Sequence, residues 1–357
     1  MAAKKGVLHF RINNTSTRSP SIRDHLGDKD VTAIKVGYIP APGTALESFI
    51  SMRHYRSLEA VTLHNSWLTV GVFDGVHRGH QEIIKILTAG AQATGMPAVV
   101  LTFEPHPSKV LGHGEIGLLT LPDERVDLLA AMGVDVVITE RFTKELSTVT
   151  AFDFMLRLTQ KLGLKHLLVG YDFALGKGRE GNATRLTEIG RELGYRVEMV
   201  SALGDEDSVI SSTEIRKLVS MGNVAEAARL LGHPYSLRGA VIRGDSRGRK
   251  IGVPTANIDY PHEKVVPALG IYAGWAYVAN KRHSAAISIG INPTFTPDKQ
   301  VPSVEAYILD FDEDIYGEQL KIEFIARLRD EFKFDSVEAL VEQIWRDVEE
   351  TRKLLNA

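Results

Sequence analysis

His77 and His80 stand three residues apart where an apolar run gives way to a helical pattern, in WLTVGVFDGVHRGHQEII, Trp67 to Ile84. That spacing puts both rings on one face of a helix, one turn apart. Trp67 to Phe73 has the length and the β-forming content of a buried strand. Gly75 and Gly79 let the backbone approach a ligand where a Cβ would clash. A helix N-terminus offers free N–H groups and the positive end of the helix dipole, so strand, glycine turn and helix together predict a phosphate site. Two imidazoles added there suit the α-phosphate of a nucleotide. The rival reading is a metal pair, which needs a third and fourth ligand nearby; the chain has 0 cysteines to offer.

Four more stretches carry usable chemistry. In Ile210 to Arg216, Ser212 or Thr213 can cap the helix that follows, and Arg216 in its first turn faces whatever anion that end holds. Prolines fix the loop Thr102-Phe103-Glu104-Pro105-His106-Pro107, where Phe103 or His106 can face a flat ring. Gly170-Tyr171-Asp172-Phe173 runs into a loop of three glycines with Lys177 and Arg179, ending at Asn182, which reads as flexible and cationic. Further on, glycines at 239, 244, 248 and 252 precede Pro254-Thr255-Ala256-Asn257, whose hydroxyl and amide oxygens suit a hard cation. No GxxxxGK[ST] loop occurs. Glu305 lies on a predicted strand, and a Glu within hydrogen-bond reach of a hydroxyl could take its proton, though a strand Glu more often simply faces solvent.

Alternating elements must position the first group. Strands are predicted over 97–103, 134–139, 166–170 and 195–200, and helices over 122–132, 152–162 and 183–193. Such alternation argues a parallel sheet with helices on both faces and ligands beyond the carboxyl ends of the strands. After Gly232 the texture changes at the joint His233-Pro234-Tyr235. Segments 270–279, 284–289, 304–309 and 320–327 are β-rich with glycine turns and no helix between, which predicts a small antiparallel barrel. An amphipathic helix over 334–355, with Leu340, Ile344, Val348 and Leu354 inward, closes the chain.

At 357 residues there is room for two or three domains. Net charge is −3, so no large basic surface for nucleic acid is implied. No apolar run reaches the ~20 residues of a membrane span. Absence of cysteine fits a reducing cytoplasm. Residues 1–52 are polar, with a basic stretch through Arg23, and read as a disordered or accessory extension; Met52 is a candidate true start.

GxFDGxHxGH, from Gly71 through Phe73, Asp74, Gly75, His77 and Gly79 to His80, resembles the signature of the nucleotidylyltransferase superfamily. The chain as a whole resembles the bacterial bifunctional riboflavin kinase/FMN adenylyltransferases (FAD synthetases) over about residues 53–355. The resemblance implies an α/β protein with a Rossmann-like nucleotidylyltransferase domain at 53–232 and a small antiparallel β-barrel riboflavin kinase domain with a terminal helix at 235–357. It implies that Phe103, Pro105 and His106 of the TFxPHP loop lie on the flavin side of the adenylyltransferase site. Gly170, Asp172 and Asn182 fall in a GxDFxFGxxRxG segment tied to nucleotide or flavin phosphate, with Ala174 and Leu175 where Arg-Phe is common. Ser211, Ser212, Thr213 and Arg216 match ISSTxIR, whose Ser and Thr contact the nucleotide and whose Arg contacts the triphosphate.

The second set matches the kinase signature GxVxxGxxxGRxxGxPTAN. Here Gly244, Gly248, Arg249, Gly252 and Pro254 are implied to wrap ATP, and Thr255 and Asn257 to hold Mg2+ and phosphate. Glu305 matches the catalytic Glu of a VExH segment, with Tyr307 in place of His. Asn292 and Thr294 of NPTF, and Arg327 and Phe332 of the closing segment, are implied to border the flavin. The reactions implied are riboflavin plus ATP to FMN, then FMN plus ATP to FAD and pyrophosphate. The partners implied are riboflavin, FMN, FAD and ATP, with Mg2+, in a cytoplasmic monomer or weak homo-oligomer. Two other readings remain: an adenylyltransferase for another phosphate acceptor with a flavin-sensing barrel, and a monofunctional kinase with a degenerate first module.

Overall fold

Successive residues of the central strands bury on opposite faces of one sheet. Leu68, Val99, Leu101, Val136, Ile138 and Leu167 join one apolar cluster, while Trp67, Ala98, Val100, Val137 and Leu168 join another. A sheet covered on both faces reads in sequence as continuous apolar runs, which is how these strands read. The computed structural model describes residues 10–12, 31–38, 50–112, 114–202, 204–205, 208–244, 248, 252–279, 281–291 and 302–355. The chain divides into two units, the first formed by residues 1–116 and 120–209 and the second by 117–119 and 210–357.

In the first unit the strands are β1 Phe10–Ile12, β2 Val31–Tyr38, β3 Ile50–Tyr55, β4 Ser66–Val70, β5 Ala98–Glu104, β6 Val136–Arg141, β7 Leu164–Gly170, β8 Ala174–Leu175, β9 Gly181–Asn182, β10 Arg196–Val200, β11 Gly204–Asp205 and β12 Ser208–Val209. The main sheet has the order β1-β2-β3-β6-β5-β4-β7-β10. Its pairings from β3 to β10 are parallel, whereas β1 with β2 and β2 with β3 are antiparallel. The helices are α1 Arg78–Thr94, α2 Pro107–Val110, α3 Pro122–Ala131, α4 Ala151–Leu162 and α5 Ala183–Leu193. Ile84 and Leu87 of α1 and Val126 and Leu129 of α3 cover one face; Phe154 and Leu158 of α4 and Leu186 of α5 cover the other.

Within the extension expected over residues 1–52, β1 and β2 add an antiparallel edge, with β2 pairing along Val31–Val36 with β3. The tract Asn13 to Ser21 lies outside the described residues. Met52 sits fully buried in β3. The strand expected over 67–73 ends at Val70, because Gly71 to His77 turn the chain before α1.

In the second unit, β13 Tyr235–Ile242, β14 Ala256–Asp259, β15 Gly270–Val278, β16 Lys281–Ile291, β17 Pro302–Ile308 and β18 Gln319–Arg329 close a barrel in the order β13-β14-β17-β16-β15-β18. Every neighbouring pair is antiparallel. Val304, Ala306 and Ile308 point into the core with Leu237, Ile287 and Ile322. Two helices, α6 Ser212–Ser220 and α7 Val224–Leu231, pack Ile215, Val219, Ala227 and Leu231 into that same core. They therefore belong to the barrel unit, and the division falls at Ile210, ahead of the joint at His233.

The terminal helix α8, Val337–Leu355, buries Asp347, Val348, Thr351 and Leu355. Leu354, expected inward, is 48% exposed. Counting by three and four from Val348 reaches 351 and 355, so 354 falls on another face. The buried Asp347 receives Arg329 of β18 through Nε at 3.0 Å and Nη2 at 2.7 Å, and Gln343 Nε2 at 2.9 Å. Charge pairs of this kind contribute little over an apolar pair, yet removing one partner strands the other. Asp347→Ala should therefore destabilise the barrel unit by about 2–4 kcal/mol. Urea unfolding followed by Trp275 and Trp345 fluorescence measures it, and Asp347→Asn should lie between the variant and the parent.

Candidate active sites

The chain leaves β4 through a turn with an unusual backbone. Phe73, Gly75 and Val76 have φ of 52°, 82° and 41°. Glycine takes that region freely, but Phe and Val do so only when their surroundings hold them there. Asp74 is 1% exposed, and its Oδ1 accepts from Thr120 N at 2.8 Å and Thr120 Oγ1 at 3.1 Å. Gly75 N donates to Thr120 Oγ1 at 2.9 Å, and Gly71 N donates to Leu101 O at 3.0 Å. His77 is the N-cap of α1, and its Nδ1 accepts from His80 N at 3.4 Å. The two rings stack with centroids 3.6 Å apart, and Phe73 meets His80 edge-on at 5.1 Å. Gly79 leaves room for the His77 ring, which would lie 3.2 Å from a Cβ there. Among the described residues His80 Nδ1 is buried without a hydrogen-bond partner. Burial first, then His77 and Arg125, hold the His80 imidazole well below its ordinary pKa. His80 is therefore neutral at pH 7, with one ring N–H able to donate.

Neighbouring strand ends carry the other predicted groups of this unit. Phe103, next to the end of β5, meets Phe142 edge-on at 5.5 Å. The Glu104–Pro105 peptide is cis. His106 caps the short α2 by accepting from Ser108 N at 3.1 Å. A cavity of about 170 Å³ lies beside this loop, lined by Arg56, Glu104, Pro122, Thr139 and Arg141. After Gly170, the loop expected to be flexible is stapled: β8 pairs with β9, and Arg179 Nη2 donates to Asp172 O at 3.0 Å. Asn182 caps α5 by accepting from Arg185 N at 3.0 Å.

In the barrel unit the cap of α6 is Ser211, one residue before the expected Ser212 or Thr213; it accepts from Glu214 N at 3.2 Å. Arg216 donates through Nε to Gly117 O at 2.9 Å. On the barrel wall lies a cavity of about 580 Å³, lined by Gly244, Gly248, Pro254, Thr255, Asn257, Glu305 and residues of the 311–316 loop. The register sets Asn257 of β14 opposite Glu305 of β17, and Glu305 opposite Ser288 of β16. Thr255 Oγ1 donates to Glu305 Oε2 at 2.8 Å. A Cβ on Gly244 would lie 2.4 Å from Asn257 Nδ2, so only glycine lets that strand end pass the amide. Thr255, Asn257 and Glu305 together offer only oxygen ligands on one wall, a donor set that fits a small hard divalent cation that keeps some of its water. Among the described residues no group of three or more His, Cys, Asp or Glu side chains is placed to hold a metal ion.

Not every expected residue lines this cavity. Arg327 Nη2 donates to Leu269 O at 2.6 Å and pairs with Asp330 at 2.8 Å. Phe332 is 52% exposed and lies under Arg329, 4.5 Å from its guanidinium carbon. From the same closing segment Glu331 reaches the cavity instead, its Oε1 2.5 Å from where a Gly290 Cβ would stand. Burial pushes the Glu331 carboxyl above its ordinary pKa, against the pull of Arg329. Tyr307, two residues from Glu305 on the same outward face, meets Trp345 of α8 edge-on at 6.1 Å. Arg249, Asn292 and Thr294 lie outside the described residues. Sequence reasoning missed Glu331, Thr120 and Arg125. The signal for Arg125 was available: it shares the inward face of α3 with Val126 and Leu129.

A family model described as FAD synthetase matches residues 60–214, and one described as riboflavin kinase matches residues 231–355. The bifunctional riboflavin kinase/FMN adenylyltransferase of Listeria monocytogenes is 39% identical over 307 residues, which is 85% of this chain and 96% of that protein. Its counterpart in Bacillus subtilis is 36% identical over 80% of this chain and 91% of its own. A solved structure described as a macrolide-efflux protein from Streptococcus pneumoniae aligns with a TM-score of 0.77 at 33% identity, covering 84% of this chain and 98% of that one. No helix among the described residues is long and apolar enough to cross a membrane. With both halves matched in order and near-complete coverage of its relatives, the chain belongs to the bifunctional riboflavin kinase/FMN adenylyltransferase family.

Proposed function

We propose that this chain makes FMN from riboflavin and ATP at the barrel cavity, and FAD and pyrophosphate from FMN and ATP at the turn after β4. The observation that carries this reading is that each unit holds its own phosphate-handling constellation: stacked His77 and His80 at a helix N-terminus in one, Thr255 bonded to Glu305 on a cavity wall in the other. The catalytic assignments follow the expected boundaries, 53–232 and 235–357, which the family matches at 60–214 and 231–355 support. We place the enzyme in the cytoplasm, which its cysteine-free composition fits, and expect a monomer or weak homo-oligomer.

In the kinase half, the ribityl 5′-hydroxyl oxygen attacks the γ-phosphorus of ATP, the bond to the ADP oxygen breaks, and Glu305 takes the hydroxyl proton. Thr255 bonds one carboxylate oxygen and so fixes the orientation of that base. Thr255 and Asn257 are the residues that would hold Mg2+, which when bound neutralises charge on the phosphates. In the adenylyl half, a phosphate oxygen of FMN attacks the α-phosphorus of ATP and pyrophosphate leaves. No protein nucleophile is needed, so positioning and charge stabilisation carry the rate. Neutral His80, His77 and the first N–H groups of α1 face the α-phosphate. Gly170 and Asp172 serve the nucleotide on the strength of their motif; Ser211 to Thr213 and Arg216 match a nucleotide motif too but fall in the barrel unit. Phe103, Pro105, His106 and Asn182 serve the flavin.

Incubating the protein with riboflavin, ATP and Mg2+, then separating FMN from FAD by chromatography, tests both halves. His80→Ala should stop at FMN. Glu305→Ala should slow FMN formation ~100-fold or more yet still convert supplied FMN to FAD. Flavin binding without phosphotransfer would instead make the barrel a sensor. Gly244→Ala gives a second, geometric check. Its Cβ would displace the Asn257 amide, so the KM for ATP in FMN formation should rise ~10-fold, while FAD formation from FMN stays within twofold.

A further inference from the structure

Arg125 is among the largest fully buried side chains, at 0% exposure on the inner face of α3. A buried guanidinium is costly unless its charge and donors are met. Here Nη1 donates to Thr102 Oγ1 at 3.0 Å and Phe103 O at 3.4 Å, and Nη2 donates to Thr120 O at 3.4 Å, while among the described residues Nε is buried without a partner. Both threonines pass the constraint to the turn after β4. Thr102 Oγ1 donates to Val72 O at 3.0 Å. Thr120 holds the Asp74 carboxylate with its N–H and hydroxyl, and its Oγ1 accepts from Gly75 N. Val72, Asp74 and Gly75 are thus fixed through two hydroxyl residues by one guanidinium. Those anchors flank Phe73 and precede Val76, the two non-glycine residues held at positive φ just ahead of His77. Left-handed backbone at such residues costs roughly 1–3 kcal/mol each and persists only where the surroundings over-determine it.

We propose that Arg125 is a positioning residue for adenylyl transfer: through Thr102 and Thr120 it holds the Phe73–Val76 turn in the form that sets His77 and His80 against the nucleotide. The proposal rests on the roles given above to His77 and His80. Arg125 also contributes charge. The groups that face His80 are His77 from the helix cap, the Phe73 ring from the turn and Arg125 from α3, and Asp74, Glu104 and Glu124 act on Arg125. Without the guanidinium, one of the two neighbouring charges opposing protonation of His80 is gone.

The test uses the full-length protein and measures FAD formation from FMN and ATP across pH, with FMN formation from riboflavin measured on the same samples. Arg125→Met should lower kcat for FAD formation ~10–100-fold while KM for ATP changes less than threefold. Its acid limb should move to higher pH, because His80 then protonates more readily. Arg125→Lys should keep the wild-type acid limb, since it keeps the charge, but not the full kcat, since it loses the fork. Thr120→Val should lower kcat without moving the acid limb, and Thr120→Ser should restore it. If Arg125→Met does not fold, the Thr120 pair decides. Wild-type kcat in Thr120→Val, or in a folded Arg125→Met, overturns the proposal. His80→Ala separates the two levels of the argument: if it makes FAD at the wild-type rate, the reading of the site fails; if it is inactive while Arg125→Met is not, only the role of Arg125 fails.

Discussion

A parallel sheet buried on both faces can do chemistry only where its strands end. Here Leu68, Val99 and Val136 are sealed on one face and Trp67, Val100 and Val137 on the other, so no side chain in the body of β4, β5 or β6 meets solvent chemistry. The functional groups are pushed into the turns beyond Val70, Glu104, Arg141 and Gly170, and the quality of those turns decides the site. That is why the connection from β4 to α1 carries positive φ at Phe73 and Val76 and a buried Asp74. Rigid backbone replaces long flexible side chains as the means of placing two imidazoles 3.6 Å apart.

The barrel reaches its site by another rule. Residues on a strand alternate between the core and the outer wall, so Val304, Ala306 and Ile308 inside force Ser303, Glu305 and Tyr307 outside. Register then decides the neighbours: Asn257 and Ser288 flank Glu305 because β14 and β16 both pair with β17. Tyr307, two residues along the same face, lies against Trp345, so the same periodicity that exposes Glu305 also seats the terminal helix.

The architecture was legible because both patterns are strong: near-continuous apolar strands alternating with helices, then short β segments with glycine turns. Local caps were less so. Ser211, Ser212 and Thr213 are equally good capping residues on paper, and only the backbone selects Ser211. Leu354 and Leu355 are adjacent and both apolar, and the helical phase set by Val348 buries the second. The loop over Gly176 to Asn182 reads as flexible by composition, but pairing of β8 with β9 and the bond from Arg179 to Asp172 hold it. Arg125 shows in the inward phase of α3 beside Val126 and Leu129, but no local pattern records its contact from helix α3 to the end of β5, or what Thr120 holds across 46 residues.

Charge in the sheet unit is distributed in an unexpected way. Burial keeps His80 neutral, and the guanidinium that acts on it, that of Arg125, is itself enclosed. A neutral imidazole donates a hydrogen bond without the cost of desolvating an ion, and its strength depends on alignment rather than on Coulomb attraction. Helix N–H groups behave the same way, because their partial charges are fixed in direction. A site built from such donors stabilises charge only where its geometry places it. The rigidity of the turn after β4 and the neutrality of His80 are therefore one design, since donors that work by alignment need a backbone that does not yield.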